Sequence, residues 1–190
     1  KRNFDDHNVA FTGVASRRQA REIANFPSYE ESWAARGTYN YQSRYFAEAS
    51  VSHTGSEKFA PGNRFGTFPS FGVGWMISNE DFFDFADDWF NHFKVKYTWG
   101  EIGSDAGIAR WLYRSSYQPD AGDVVFGNPL QAYSVIDEGN VPVPNATWET
   151  AIKNNIGIET GFLDNTITLD VDLYEERRED ILQTRNSIPT

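Results

Sequence analysis

Apolar and polar residues alternate along most of this chain, and a period of two is typical of β-strands with one apolar and one polar face. The clearest example is 166–174, in which Ile167, Leu169, Val171 and Leu173 share one parity and polar side chains occupy the other. The same alternation recurs five times, with a weaker example near 9–15. The pattern predicts seven strands, over 9–15, 32–41, 45–52, 70–77, 93–99, 148–162 and 166–174.

The predicted connections differ in length in a regular way. Those at 16–31, 54–69 and 102–147 are long, those at 42–44 and 164–165 are tight turns, and 79–91 is predicted to form one short helix. If the strands run up and down, all long loops fall at one end of the sheet and all short links at the other. That arrangement is typical of outer-membrane barrels.

Aromatic residues are sorted along the apolar parity. Near the long-loop end stand Trp33, Phe71, Trp99 and Trp148, and near the short-turn end stand Tyr39, Tyr41, Tyr45, Trp75, Phe93 and Phe162. Two aromatic girdles around a smaller aliphatic band favour a membrane-spanning sheet, because such rings prefer the membrane–water interface. Asn154 shares the parity of the apolar residues, so it would face lipid and is an exception to the pattern. The alternative is a soluble antiparallel β-sandwich, for instance a glycan-binding module.

Composition narrows the function classes. The chain of 190 residues carries a net charge of −10, which disfavours binding to nucleic acid, and it has no cysteine for disulfides or zinc. Aromatic residues make up 16% of the chain. Seven strands cannot close a barrel, and the chain opens without a secretory signal, so we expect a fragment of a larger barrel.

Several motifs occur in order at the strand and loop positions that the alternation predicts. They are YNYQSRY at 39–45, FAPGNRFG at 59–66, FPS at 68–70, GW at 74–75, KVKYTWG at 94–100 and PNATWET at 144–150. This series resembles the barrel region of the SusC/RagA-type TonB-linked outer-membrane transporters of Bacteroidota. The chain departs from the family's usual pattern at two places. Thr54 stands where the family usually has Asp, and Thr98-Trp99-Gly100 stands where the family usually has Ser-Tyr-Gly.

The resemblance implies an all-β, antiparallel up-and-down transmembrane barrel of about 22 strands around a plug, located in the outer membrane. Residues 1–190 would form a partial barrel domain, without the plug and the remaining strands, and 102–147 would be a long extracellular loop. The implied function is import of oligosaccharides or oligopeptides. The implied partners are the rest of the barrel and its plug, a SusD-like surface lipoprotein, the TonB complex, lipid and lipopolysaccharide, and a glycan or peptide substrate.

Two groups of residues are candidates for chemistry. Flat rings in the long loop could stack on a sugar or peptide, or pack onto the loop itself or a partner; they are Trp111, Tyr113, Tyr117, Phe126 and Tyr133. Residues of the polar parity are expected to face a hydrated lumen, and the candidates are Lys94, Lys96, Asp170 and Asp172.

Catalysis is not expected. Asp170 and Asp172 are about 7 Å apart by strand rise, within the range of an inverting glycosidase pair, but no other feature supports such a site. The three histidines are scattered and the loop acids match no calcium-binding frame. We therefore predict no enzyme activity, no cofactor and no metal.

Overall fold

The computed structural model describes residues 2–4, 6–21, 26–86 and 89–183 and is almost entirely β. Its strands, in chain order, are β1 (Arg2–Phe4), β2 (His7–Ala20), β3 (Ser28–Tyr41), β4 (Tyr45–Ser56), β5 (Phe65–Met76), β6 (Phe90–Ser104), β7 (Tyr117–Gln118), β8 (Asp123–Phe126), β9 (Gln131–Ser134), β10 (Asp137–Glu138), β11 (Glu149–Phe162) and β12 (Ile167–Glu179). In the described residues, no helix is long and apolar enough to cross a bilayer.

One antiparallel sheet contains all the long strands. Its order is β1-β2-β3-β4-β5-β6-β11-β12, so each long strand pairs with its neighbour in the chain, the link from β6 to β11 being the longest. The seven predicted strands and their up-and-down order are confirmed. The additional short strand β1 was not predicted.

The connections keep only part of the predicted asymmetry and correct two of the predicted lengths. At one end of the sheet, the strands are joined by 57–64, by 105–148 and by the stretch between Ala20 and Ser28, of which 22–25 lie outside the described part. At the other end, tight turns occupy 42–44 and 163–166, and the link between Met76 and Phe90 is longer than two of the connections at the first end. The predictions of long loops over 16–31 and 54–69 were wrong, because the strands continue past their apolar part as polar ladders. Ser16 pairs with Ser32, and Arg17 with Glu31, in this extension.

Two smaller corrections concern the other links. The link after β5 contains two short 3-10 helices, Ile77–Asn79 and Asp81–Ala86, rather than one helix over 79–91; residues 87 and 88 lie outside the described part. The long link between β6 and β11 holds two small ladders, β7 with β10 and β8 with β9.

Strand register places the predicted apolar residues on a single face of the sheet. Tyr41, Tyr45, Trp75, Val95, Ile158 and Val171 are paired successively across six strands. Leu169 on this face remains 54% exposed, and the remaining ladders are the two short ones of the long loop. The sandwich alternative is therefore wrong, since no second sheet among the described residues covers this face.

The aromatic girdles run obliquely across the register. At the short-turn end, Phe162 lies four residues beyond the position that is in register with Tyr41. At the loop end, Phe71 and Trp99 are paired and lie four residues nearer the turns than Trp33. The rings therefore form two slanted bands.

Trp148 was predicted to belong to the aromatic girdle at the long-loop end, but it does not. It lies just before β11, is only 8% exposed and packs against Phe59 and Phe68. Together with Ile108 and Ala146 it forms a small core where the loops meet the sheet. The alternation does not predict the direction of this side chain, because the residue precedes the strand and the backbone there is free to turn the indole toward the loops.

Candidate functional site

Opposite the apolar face, charged side chains of three neighbouring strands form a network. The Lys94 Nζ lies 3.2 Å and the Lys96 Nζ 2.9 Å from carboxylate oxygens of Glu159. Lys96 also lies 3.4 Å from Asp172. One acid on β11 and one on β12 thus pair with two lysines on β6, so the charges of these four side chains are compensated within the sheet.

Gly157 makes this network possible. It stands in register between Lys96 and Asp172, and a Cβ there would overlap the Lys96 side chain and lie 2.5 Å from the Asp172 Oδ1. Without a side chain on the middle strand, the ammonium and the carboxylate can meet across it. The sequence pattern had marked Lys96 and Asp172 but not this glycine.

The two aspartates that were weighed as a glycosidase pair have different surroundings. Asp172 is bound by Lys96 and accepts a hydrogen bond from the Asn155 Nδ2 at 3.0 Å, whereas Asp170 stands in register with Glu159. A glycosidase needs one protonated and one ionised carboxyl flanking a cleft. The ion-paired Asp172 has instead the environment of a structural charge.

The polar face is concave in part. A hollow of about 850 Å³ lies over it, and its lining includes Asn40, Glu48, Ser70, Lys94, Lys96 and Lys153. Further ion pairs join Arg36 to Glu48 at 2.5 Å and Lys153 to Glu176 at 3.1 Å. The hollow is therefore lined by charged and hydrogen-bonding side chains together with apolar ones such as Phe46. Within the described part of the chain, no group of residues could hold a metal ion.

The candidate rings of the long loop do not converge. Phe126 and Tyr133 contact each other across the β8–β9 hairpin, with centroids 6.1 Å apart. Tyr117 lies exposed on β7 and Tyr113 is half-buried. Trp111 contacts Phe26 of another loop. Only Phe126 and Tyr133 offer a shared aromatic surface.

Sequence reasoning missed Arg110, which joins the three loops of the long end. Its guanidinium donates to the carbonyl oxygens of Phe26 and Pro27 at 2.7 and 2.5 Å and lies 2.8 Å from the Glu57 carboxylate. It also stacks over Trp111. A single arginine in a polar loop belongs to no periodic pattern, so nothing in the sequence distinguishes it.

A second cluster, at the short-turn end, joins the turn at 42–44 to the link after β5. Arg44 lies 3.4 Å from Glu80 and 2.7 Å from Asp81. Hydrogen bonds from the Tyr45 hydroxyl and the Trp75 indole hold the pKa of the Glu80 carboxyl below its ordinary value. Burial acts in the opposite direction, and Arg44 adds to the lowering.

These features define a class of protein. An antiparallel meander with an exposed apolar face between aromatic bands and with ion pairs on the opposite face is the wall of an up-and-down transmembrane β-barrel. The one very long loop, 105–148, and the tight turns at the opposite end fit this class.

Comparison with known proteins shows which receptors this chain resembles. The chain is 29% identical over 159 residues to the TonB-dependent receptor SusC of Bacteroides thetaiotaomicron, covering 80% of this chain and 15% of SusC. It is 27% identical over 148 residues to the TonB-dependent receptor P39 of Formosa agariphila, covering 78% of this chain and 13% of P39. No protein-family model matches the chain.

Solved structures agree in fold. The RagAB peptide transporter superposes with a TM-score of 0.69 at 21% identity, over 83% of this chain and 16% of that one. The open-open state of the RagAB peptide importer gives 0.66 at 20% identity, over 80% and 16% of the two chains. The resemblance to SusC/RagA-type TonB-dependent receptors is thus confirmed, and this chain spans about 15% of the length of SusC.

The names of these relatives also bear on catalysis. They are named as receptors and transporters, which agrees with the prediction that this chain is not an enzyme.

Proposed function

We propose that this chain forms part of the wall and the extracellular loops of a TonB-dependent transporter that imports oligosaccharides or oligopeptides across an outer membrane. Its likeness to SusC and to the RagAB peptide transporter supports nutrient import in general. The proposal extends that general activity to the protein of which these residues are a part.

One observation carries the proposal, namely that strand register separates an apolar from a charged face across β6, β11 and β12, with Asn154 as the exception. Val95, Ile158 and Val171 are adjacent on one face, while Lys96 and Asp172 lie on the other. An exposed apolar face is stable against hydrocarbon but not against water. We therefore assign it to lipid, including lipopolysaccharide, and the opposite face to the lumen.

In this arrangement the lumen-facing residues Lys94, Lys96, Asp170 and Asp172 serve the wall rather than any bond chemistry. Paired charges present a hydrated surface with little net field, because the attraction between each ammonium and carboxylate is satisfied locally. The remaining strands of the barrel and a plug would complete the channel.

The loop end would meet the cargo and a lid. Residues 105–148 would lie outside the cell, next to a SusD-like surface lipoprotein, and the TonB complex would act from the opposite side. Phe126 and Tyr133 are the strongest ring candidates for cargo, since they are exposed and adjacent. Trp111, Tyr113 and Tyr117 would support the shape of the loop or its partner contacts.

The membrane assignment is tested by Leu169→Arg in the full-length transporter. Leu169 lies on the apolar face, about midway between the slanted aromatic bands, and an arginine near the bilayer midplane costs about 2–4 kcal/mol. Urea unfolding in phospholipid vesicles measures this loss. The matched control is Asp170→Arg, one residue along the same strand on the opposite face, for which we expect little loss.

Equal stability of the two variants in lipid would contradict the assignment of the faces. A larger loss for Asp170→Arg than for Leu169→Arg would reverse it.

A further inference from the structure

The 3-10 helix Asp81–Ala86 presents three chemically distinct faces. In a 3-10 helix, residues three apart lie directly above one another. Asp81 and Asp84 therefore share one face, Phe82 and Phe85 a second, and Phe83 and Ala86 the third. The sequence DFFDFA thus gives one acidic face, one phenylalanine face that we call the Phe82/Phe85 face, and one further apolar face.

Burial distinguishes the two apolar faces. Phe83 and Ala86 are 7% and 1% exposed, and Phe83 packs against Phe90 and Phe93 with centroids 5.3 and 6.0 Å apart. Phe82 and Phe85 are 61% and 80% exposed. The helix is therefore held to the sheet by one face, while the two rings of the Phe82/Phe85 face remain largely exposed.

These rings continue the apolar face of the sheet. Phe82 contacts the indole of Trp75 at 6.4 Å, and Trp89, itself exposed, stacks on Phe162 at 6.3 Å. Trp75 and Phe162 both belong to the slanted aromatic band at the short-turn end. The Phe82/Phe85 face is thus an outward extension of the surface assigned to lipid.

The charges lie on the other side of the same helix. The Asp81 side chain is 87% exposed and is paired with Arg44 of the neighbouring turn. A short segment with phenylalanines on one face and acids on another has the pattern of an interfacial element, with its rings among acyl chains and its charges in water.

We propose that the Phe82/Phe85 face, together with Trp89, inserts into the phospholipid leaflet at the short-turn end of the barrel and anchors that rim at a fixed depth. This inference rests on the proposed membrane assignment. Its occupant is a lipid surface rather than a protein, because the rings are continuous with the lipid-facing band through Trp75 and Phe162.

The absence of cysteine in this chain allows single-site labelling. Phe82→Cys, Phe85→Cys and Asp84→Cys would each carry a nitroxide in the full-length transporter, reconstituted in vesicles of phosphatidylethanolamine and phosphatidylglycerol. Any cysteine elsewhere in that protein would be replaced by serine. Collision rates with oxygen, which is concentrated in lipid, and with a nickel chelate, which is confined to water, report the depth of each label.

We expect oxygen to collide more than nickel at positions 82 and 85, and the reverse at position 84, on the adjacent face of the same helix. Labels at 82 and 85 that favour nickel would overturn the proposal. Labels at 82 and 85 shielded from both reagents, with 84 accessible, would also overturn it and indicate a protein partner.

A label at Val171→Cys tests the membrane assignment separately from the proposed anchor at the Phe82/Phe85 face. Oxygen-favoured collisions at 171, combined with nickel-favoured ones at 85, would reject the anchor and keep the membrane assignment. Nickel-favoured collisions at 171 would reject both.

Discussion

Asn154 shows how a polar residue is accommodated on the apolar face. It is in register with Trp99 of the upper aromatic band, so it lies at the edge of the apolar region rather than at its centre. Its Oδ1 accepts a hydrogen bond from the Tyr97 hydroxyl at 3.0 Å, from a ring on the same face. The exception to the alternation is therefore a local pair in which the Tyr97 hydroxyl satisfies the Asn154 side-chain oxygen.

This pair predicts a non-additive response to substitution. Tyr97→Phe should destabilise the protein in lipid by about 1–3 kcal/mol, because it leaves the Asn154 amide without its partner. Adding Asn154→Leu to Tyr97→Phe should restore most of the loss, since no unpaired polar group then remains. Urea unfolding in vesicles measures all three variants.

Asn154→Leu alone is the third variant, and with the other two it completes a double-mutant cycle. If the effects of the two substitutions simply add, the hydrogen bond does not contribute to stability in the membrane.

At the scale of elements, Glu80 couples two links that are distant in sequence. It binds the Trp75 indole at 2.8 Å, while Arg44 reaches it from the turn at 42–44. The Asn79 Nδ2 also donates to the Ser43 carbonyl oxygen at 2.9 Å. The two links are thereby fixed to each other, which in turn sets the position of the 3-10 helix that follows.

The lowered pKa of Glu80 predicts how this junction responds to acid. A carboxyl whose pKa is depressed in the folded state contributes stability above its ordinary value of 4.5. That contribution is lost as the pH falls through the lower folded value. The indole N–H resonance of Trp75 should therefore stay constant above pH 4.5 and shift at lower pH.

Glu80→Gln is the control for this titration, because it keeps a hydrogen-bond acceptor and removes the ionisation. A shift of the Trp75 resonance that persists in Glu80→Gln would assign the titration to another group. Trp75→Phe identifies the resonance.

Element boundaries were predictable only where alternation involves apolar residues. Leu169, Val171 and Leu173 defined β12 because each apolar position contrasts with a polar neighbour. Arg17 and Glu31 form an equally regular ladder, but charged residues occupy both parities there, so the period of two cannot be seen. Strand ends beyond the apolar band were therefore missed.

At the scale of the whole molecule, the β8–β9 hairpin is separate from the wall. β8 and β9 pair only with each other and not with the main sheet. Deleting 123–134 and joining the ends through a short glycine linker should leave barrel assembly intact, as measured by heat-modifiable migration on gels. Uptake of cargo should fall, because Phe126 and Tyr133 are removed.

A paired substitution, Phe126→Ala with Tyr133→Ala, distinguishes loss of the rings from loss of the loop. Wild-type uptake by this variant would show that the rings do not contact cargo. Failure of the deletion variant to assemble would show that the hairpin supports the wall.

Sequence alone predicted the wall of the candidate site better than its loops. Lys94, Lys96 and Asp172 were identifiable because successive side chains of a strand point to opposite faces, so parity assigns each residue to one of them. The contacts of Arg110 and Trp148 depend on how three irregular loops meet, and no local period encodes that meeting. The spread of the five loop rings, of which only Phe126 and Tyr133 touch, was unpredictable for the same reason.

The slanted aromatic bands determine the inclination of the strands. From β3 to β11, the aromatic band at the short-turn end advances four residues along the strands over four strand-to-strand steps. This is an advance of about 3.3 Å along the strand for each interstrand spacing of about 4.8 Å. That ratio corresponds to an angle of roughly 35° from the bilayer normal, within the range of outer-membrane barrels of about 35–45°. Immersion depth therefore follows a diagonal, along which Tyr41 and Phe162 are level although they differ in register.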